Sequence, residues 1–210
     1  ADGPSGLRME GKATQLPIGT ALSATWNTEL VRELYTMEGQ ELYRNQVDTL
    51  LGPGVNIRRN PLNGRNFEYF SEDPFLSGKM SVASTGGIKD GGAWGTIKHF
   101  ALNGQESHRF KIDAVCSERA IREIYLKSFE MAVKEKTVMS IMTSYNPING
   151  HWAASNYDLC TTILRKEWGY KGFVMTDWWA KMNDVVTGGK ESNQDTRDMV
   201  RAQNDAYMVV

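Results

Sequence analysis

The 210-residue chain is 40% hydrophobic and 23% charged, with 24 Lys and Arg against 25 Asp and Glu. That composition suits a globular domain with a real core, and the balanced charge, without long runs of one sign, argues against nucleic acid or an anionic membrane as partner. No apolar stretch approaches the roughly 20 residues of a membrane span, and Cys116 and Cys160 lie far apart without CxxC or zinc spacing, so no disulfide framework or metal site is expected.

In chain order, Leu16 to Leu22 is expected to be a strand. Thr28 to Arg44 carries Leu30, Val31, Leu34, Met37 and Leu42, the spacing of an amphipathic helix. Val47 to Leu51 is the next strand, and a long polar loop runs from Asn56 to Asp73. Asp73-Pro74 opens a helix to about Ile88, with proline at the first helical position. Gly95 to Phe100 is a strand, and Ser117 caps a helix to Lys134. Val138 to Thr143 is a strand, Asn156 to Trp168 a helix, and Phe173 to Thr176 a strand. A polar loop then runs through Lys190, followed by a helix from Gln194 to Gln203 and a last apolar strand from Ala206 to Val210.

Alternation of this kind predicts a parallel sheet with helices outside it. Neither a glycine-rich dinucleotide fingerprint nor a phosphate loop is present, and no cofactor is expected. About six strands can be counted where a closed (β/α)₈ barrel has eight. The expected fold is therefore α/β, a TIM-like barrel that is truncated or collapsed with fewer than eight strands, with a doubly wound sheet as the alternative. The opening Ala1-Asp-Gly-Pro-Ser-Gly has neither an initiator Met nor a signal-peptide pattern, so residues 1–210 are expected to form a barrel domain incomplete at its N-terminus.

The chemistry concentrates in Gly172-Phe-Val-Met-Thr-Asp177-Trp178-Trp179. A short apolar run that ends on a lone carboxylate is the pattern of a buried parallel strand whose last residue faces a site. Carboxylates attack or stabilise anomeric carbons, and indole faces stack on pyranose rings. A strand-end Asp serves equally well as the cap of a following helix. In a barrel, however, the loops after the strands gather on one face. Arg65, Lys98-His99, Tyr145 and Asp177 each follow or end a predicted strand, so the topology groups them.

Six motifs then fall in one order. They are Asp2-Gly-Pro-Ser-Gly-Leu-Arg8; Gly52-Pro-Gly-Val-Asn-Ile; Asn60-Pro-Leu-Asn-Gly-Arg65-Asn-Phe-Glu68-Tyr-Phe-Ser-Glu72-Asp-Pro; Ile97-Lys98-His99-Phe100; Met142-Thr-Ser-Tyr145-Asn; and Met175-Thr-Asp177-Trp178. Together they resemble glycoside hydrolase family three, in its β-glucosidase branch, over almost the whole chain. The loop Lys98-His-Phe-Ala-Leu-Asn-Gly104 departs from the Lys-His-Phe-Pro-Gly-His of the family's N-acetylglucosaminidase branch.

The resemblance implies a retaining mechanism in which Asp177 is the nucleophile and forms a glycosyl-enzyme on terminal β-D-glucosyl residues. It implies that Asp2, Arg65, Lys98, His99 and Tyr145 hold the sugar and that Trp178 floors the subsite. Each has an ordinary reading as well: Arg65 in an ion pair with Glu68 or Glu72, Tyr145 in the core, Lys98-His99 on the surface. Trp179 is as well explained by core packing, and His108 and His151 as surface histidines. The branch places its acid/base Glu on an α/β-sandwich domain, for which no segment of this chain is available. That domain is expected in cis or in trans as a partner, beside a β-glucoside or oligosaccharide substrate. The alternatives are a non-catalytic sugar-binding fragment and a β-xylosidase of the same family.

Overall fold

The computed structural model describes residues 1–182 and 192–209. Its strands, numbered along the chain, are β1 (Thr49–Leu50), β2 (Trp94–Phe100), β3 (Ser140–Thr143), β4 (Pro147–Ile148), β5 (His151–Trp152) and β6 (Phe173–Thr176). β1, β2, β3 and β6 pair in that order, all parallel, while β4 and β5 form a separate antiparallel hairpin. The helices are α1 (Gly19–Ala24), α2 (Thr28–Arg44), α3 (Pro74–Asp90), α4 (Glu118–Ala120), α5 (Lys127–Lys134) and α6 (Arg197–Arg201).

Two further segments widen the sheet. Leu51 N–H donates to Ala1 O at 2.7 Å and the Ala1 ammonium to Thr49 O at 2.9 Å, so the first residues run beside β1. Thr176 N–H donates to Ala206 O at 2.9 Å, which sets residue 206 beside β6. Both bridges are parallel. The result is an α/β domain of TIM-like barrel type, with fewer than eight strands among the described residues.

Side chains alternate across such a sheet. Leu50, Ile97, Ile141 and Val174 all point to one face and are fully buried. There they join Val31 and Tyr35 of α2, Met80 and Ile88 of α3, and Phe129 of α5 in one core. Their neighbours one residue on, Leu51, Lys98, Met142 and Met175, point to the opposite, concave face and line a cavity.

The helical termini follow local chemistry. Asn27 Oδ1 accepts from Leu30 N–H at 3.0 Å, Asp73 Oδ1 from Leu76 N–H at 2.6 Å, and Ser117 Oγ from Ala120 N–H at 3.3 Å. These are N-cap bonds that satisfy otherwise orphaned amides.

Several expected elements differ. The strand expected over Leu16 to Leu22 gives way to α1. Thr20 Oγ1 donates to Asn66 O at 2.8 Å, and Ser23 Oγ to Phe70 O. Hydroxyls three apart reach one loop from a helix, whereas a strand would send them to opposite faces. The helix from Ser117 to Lys134 contains a wider π turn, Ile121–Tyr125, and the one expected over Asn156 to Trp168 is wound as a π-helix, Asp158–Glu167. α6 is shorter than expected because Ser192 Oγ takes the amides of Gln194 and Asp195, forming a turn where the first helical turn was expected. The terminal strand reduces to one bridge at Ala206, since the Met208 amide turns to Thr176 Oγ1 at 2.9 Å instead of a carbonyl. Most of the polar loop expected through Lys190, from residue 183 onward, and Val210 lie outside the described residues. Among the described residues no helix is long and apolar enough to cross a membrane.

Candidate active site

The concave face opens into a cavity of about 840 Å³, lined by Asp2, Arg65, Lys98, His99, Tyr145, Asp177 and Trp178. All seven residues singled out from the sequence thus surround one space. Arg109, Met142, Met175 and Met208 also line it. Farther along the sheet the lining includes Trp94, Met139 and Phe173, at or just before the starts of their strands. The charged and hydrogen-bonding groups therefore gather at the strand ends, and the apolar ones lie below.

β6 delivers Asp177. The Asp177 amide donates to Thr143 O at 3.2 Å, and Oδ1 accepts from the Trp178 amide at 2.8 Å. The Tyr145 hydroxyl faces the same carboxylate and eases its charge. Burial raises the Asp177 pKa above the ordinary aspartate value, and the Trp178 and Tyr145 donors with the Arg65 and Lys98 charges offset only part of that shift. The Tyr145 phenol is in turn pushed up, first by burial and then by Asp177, so it stays a donor.

β2 delivers Lys98 and His99 together. The β2–β3 register slips between Lys98 and Phe100, which leaves His99 out of the ladder. Asn56 takes the place of a strand neighbour: its Oδ1 accepts the His99 amide at 2.6 Å and its Nδ2 donates to His99 O at 2.8 Å. The main chain is satisfied at a bulge, and adjacent side chains both line the cavity. Lys98 Nζ meets Asp2 Oδ1 at 2.8 Å, while Arg8 Nη1 holds Asp2 Oδ2 at 2.8 Å. Burial works against the charge of Asp2, but Lys98 and Arg8 outweigh it and hold the carboxyl below its usual range.

His99 is 2% exposed, and its Nε2 lies 3.8 Å from Asp177 Oδ2. Burial, followed by the nearby Arg65, Lys98 and Arg109 charges, drives its pKa well below the ordinary histidine value. The imidazole is therefore neutral at pH 7 and forms no ion pair with Asp177.

Arg65 pairs with Glu68, so its structural role and its place at the cavity coexist. The loop that carries it rests on α1 through the hydroxyl bonds of Thr20 and Ser23. Trp178 lies half-buried at the cavity wall, 6.0 Å from Trp179 between ring centres. Trp179 is 47% exposed, so core packing, one of its two readings, does not hold. His108 is exposed, outside the cavity lining.

Arg109 is the residue that the sequence reading passed over. Its guanidinium lies 4.7 Å from the Tyr145 ring centre and is anchored by Glu106 at 2.6 Å. The available signal was Glu106 and Arg109 at a spacing of three, in the loop after β2. No group of His, Cys, Asp and Glu that could hold a metal ion occurs among the described residues.

This cluster offers a carboxylate at a strand end, a second carboxylate clamped by cations, several hydrogen-bond donors and an indole face. Such a set suits a polyhydroxylated ring, whose hydroxyls need donors and acceptors at once and whose C–H face needs an aromatic wall. Comparison with known proteins agrees. The chain is 56% identical over 211 residues to a β-glucosidase of Ruminococcus albus, covering 100% of this chain and 22% of that protein. A crystal structure of a β-glucosidase from Paenibacillus barengoltzii superposes with a TM-score of 0.97 at 68% identity, covering 100% of this chain and 23% of that one. β-Glucosidase 3B from Thermotoga neapolitana in complex with glucose gives a TM-score of 0.89 at 44% identity, covering 99% of this chain and 29% of that one. The chain thus spans under a third of the length of each. The family model described as the glycosyl hydrolase family 3 N-terminal domain matches residues 1–210, and the chain belongs to that family.

Proposed function

We propose that this domain is the barrel part of a retaining β-glucosidase that releases terminal, non-reducing β-D-glucosyl residues. The observation that carries the reading is the convergence of Asp2, Arg65, Lys98, His99, Tyr145, Asp177 and Trp178 on one cavity, in a family whose relatives here are named β-glucosidases. In this reading Asp177 attacks the anomeric carbon, and the resulting glycosyl-enzyme is hydrolysed by water. A nucleophile must be ionised, so the Tyr145 hydroxyl and Trp178 amide serve to stabilise its anion against burial. Asp2, Lys98, Arg65 and His99 hold hydroxyls, and Trp178 supplies the floor. The acid/base Glu belongs to an α/β-sandwich domain outside this chain, as the resemblance implied.

The reading is tested at Asp177. In the full-length protein, Asp177→Asn keeps the size and removes the charge. Hydrolysis of an activated aryl β-glucoside is expected to fall by a factor on the order of 10³ or more, because the covalent step itself is removed. Glucose binding, measured by calorimetry, is expected to persist. A 2-deoxy-2-fluoro glucoside should label Asp177, as read by peptide mass spectrometry. Undiminished turnover in the variant, or a label on another residue, removes Asp177 from the role. Binding without any release of the aryl group by unsubstituted residues 1–210 would favour the sugar-binding fragment. The relatives reported above lend the β-xylosidase alternative no support.

A further inference from the structure

From the Nδ1 side of His99 runs a chain of polar groups that ends at Arg109 on the cavity wall. Tyr69 is fully buried, and Asn103 and His99 are 3% and 2% exposed. Tyr69 Oη lies 3.2 Å from His99 Nδ1. Asn103 Nδ2 lies 2.9 Å from Tyr69 Oη and 3.1 Å from Glu106 Oε1, and Glu106 Oε2 accepts from Arg109 Nη1 at 2.6 Å.

The proton positions follow from which groups can only give or only take. Arg109 only donates, and a carboxylate only accepts. The Asn103 atom facing Glu106 must therefore be its NH₂ and not its carbonyl oxygen. That same NH₂ faces Tyr69, so the phenol oxygen accepts from Asn103. The single phenol proton is left to point at His99 Nδ1, which must accept it. A neutral imidazole whose Nδ1 accepts carries its proton on Nε2.

We infer that the chain Arg109–Glu106–Asn103–Tyr69 fixes His99 as the Nε2–H tautomer, so that the ring presents a hydrogen-bond donor, and no acceptor, to the sugar. Tyr69, Asn103 and Glu106 are positioning residues in this account; none of the three lines the cavity. The sugar hydroxyl that meets His99 must accept there, and its own proton is left for a carboxylate. Burial beside Arg65, Lys98 and Arg109 agrees, because it keeps the ring neutral. The inference rests on the proposed function for its ligand, but the tautomer itself can be read without substrate.

The test is ¹⁵N NMR of the full-length protein with ring-labelled histidine, the His99 signal being identified by its loss in His99→Gln. At neutral pH the resting protein is expected to show the Nε2–H signature. An Nδ1–H tautomer or an imidazolium overturns the inference. Tyr69→Phe should leave the ring as a tautomer mixture and lower kcat/KM for an aryl β-glucoside roughly ten-fold, the effect of one buried hydrogen bond. Asn103→Asp puts an acceptor before the phenol. The Tyr69 proton should swing to it and the ring should invert to Nδ1–H. If the ring stays cleanly Nε2–H in both variants, the chain is not what sets it. A protein that shows the Nε2–H form and its inversion yet hydrolyses no glucoside supports the relay and defeats only the proposed function. An active enzyme with His99 protonated on Nδ1 defeats only the relay.

Discussion

Glu38 and Asp177 are both buried acids, but only Asp177 is supplied with donors. Neither carboxylate oxygen of Glu38 has a hydrogen-bond partner; the Gly6 amide eases its charge without completing a bond. Burial, reinforced by the neighbouring Glu41, pushes the Glu38 pKa from 4.5 up to about 8. The folded state therefore holds a proton that the unfolded state has lost, and stability falls as pH rises from about 4.5 to about 8. At pH 7 the cost is roughly 3 kcal/mol, taking about 1.4 kcal/mol per unit. His99 works in the opposite sense, since it stays neutral when folded and its stabilisation is lost as pH falls below its unfolded value of about 6.5. Between about 4.5 and 6.5 the slopes of Glu38 and His99 oppose each other, and Asp177, also raised by burial, acts in the same sense as Glu38. Glu38→Gln should thus raise stability at pH 7 to 8 and flatten the fall in stability toward pH 8, as measured by urea unfolding across pH. An unchanged slope above pH 6.5 would show that Glu38 is not protonated in the folded protein. At this scale the sequence made legible the residues whose types are unusual at a strand end, such as Asp177 and Lys98-His99. It did not make legible Tyr69, Asn103 or Asn56. Their residue types are ordinary in loops, and their roles exist only through partners at separations such as the 43 residues between Asn56 and His99.

Among the elements, α2 and α3 meet main chain to main chain, through glycines. A Cβ on Gly87 would lie 2.4 Å from Arg32 O, and one on Gly39 2.5 Å from Ile88 O. Main chain meets main chain at this seam, so neither side can move aside cheaply. Gly87→Ala is accordingly expected to destabilise the protein by about 1–3 kcal/mol, despite the higher helical propensity of alanine. Thermal unfolding reads this directly, and a neutral or stabilising result would mean that the helices can separate without loss. The apolar spacing of α2 and the proline start of α3 made those helices readable, and the short β-branched and apolar runs did the same for β2 and β6. α1 was misread because Leu16, Ile18 and Leu22 mimic a strand. Its helical state is decided by Thr20 and Ser23 bonding to a loop more than 40 positions away. The β4–β5 hairpin, of two residues per strand, is too short to leave a period.

The whole molecule raises the question of the acid. General acid assistance is typically worth 10²–10⁴-fold and matters most for poor leaving groups. If a sandwich domain supplies the Glu, its presence should raise hydrolysis of cellobiose far more than that of an activated aryl glucoside. Comparing both substrates with the full-length protein and with residues 1–210 alone measures this. Equal gains would mean that the remainder restores folding and not acid catalysis, and efficient cellobiose cleavage by residues 1–210 alone would place the acid within this chain. The tie between Asp2 and Lys98 bears on the same assembly from another direction. It joins positions 96 residues apart through one half-buried and one buried partner, and two main-chain amides, those of Arg8 and Leu51, depend on the segment it holds. Those amides report how often the first residues lift from the sheet. A ligand that grips Asp2 and Lys98 together makes each such opening rarer in proportion to its saturation. Glucose should therefore slow deuterium uptake at Arg8 and Leu51 while leaving the amides of α5 unchanged. In this way the sugar would act as a clasp on the sheet's first lane, and the kinetics of that clasp can be followed without any bond being broken.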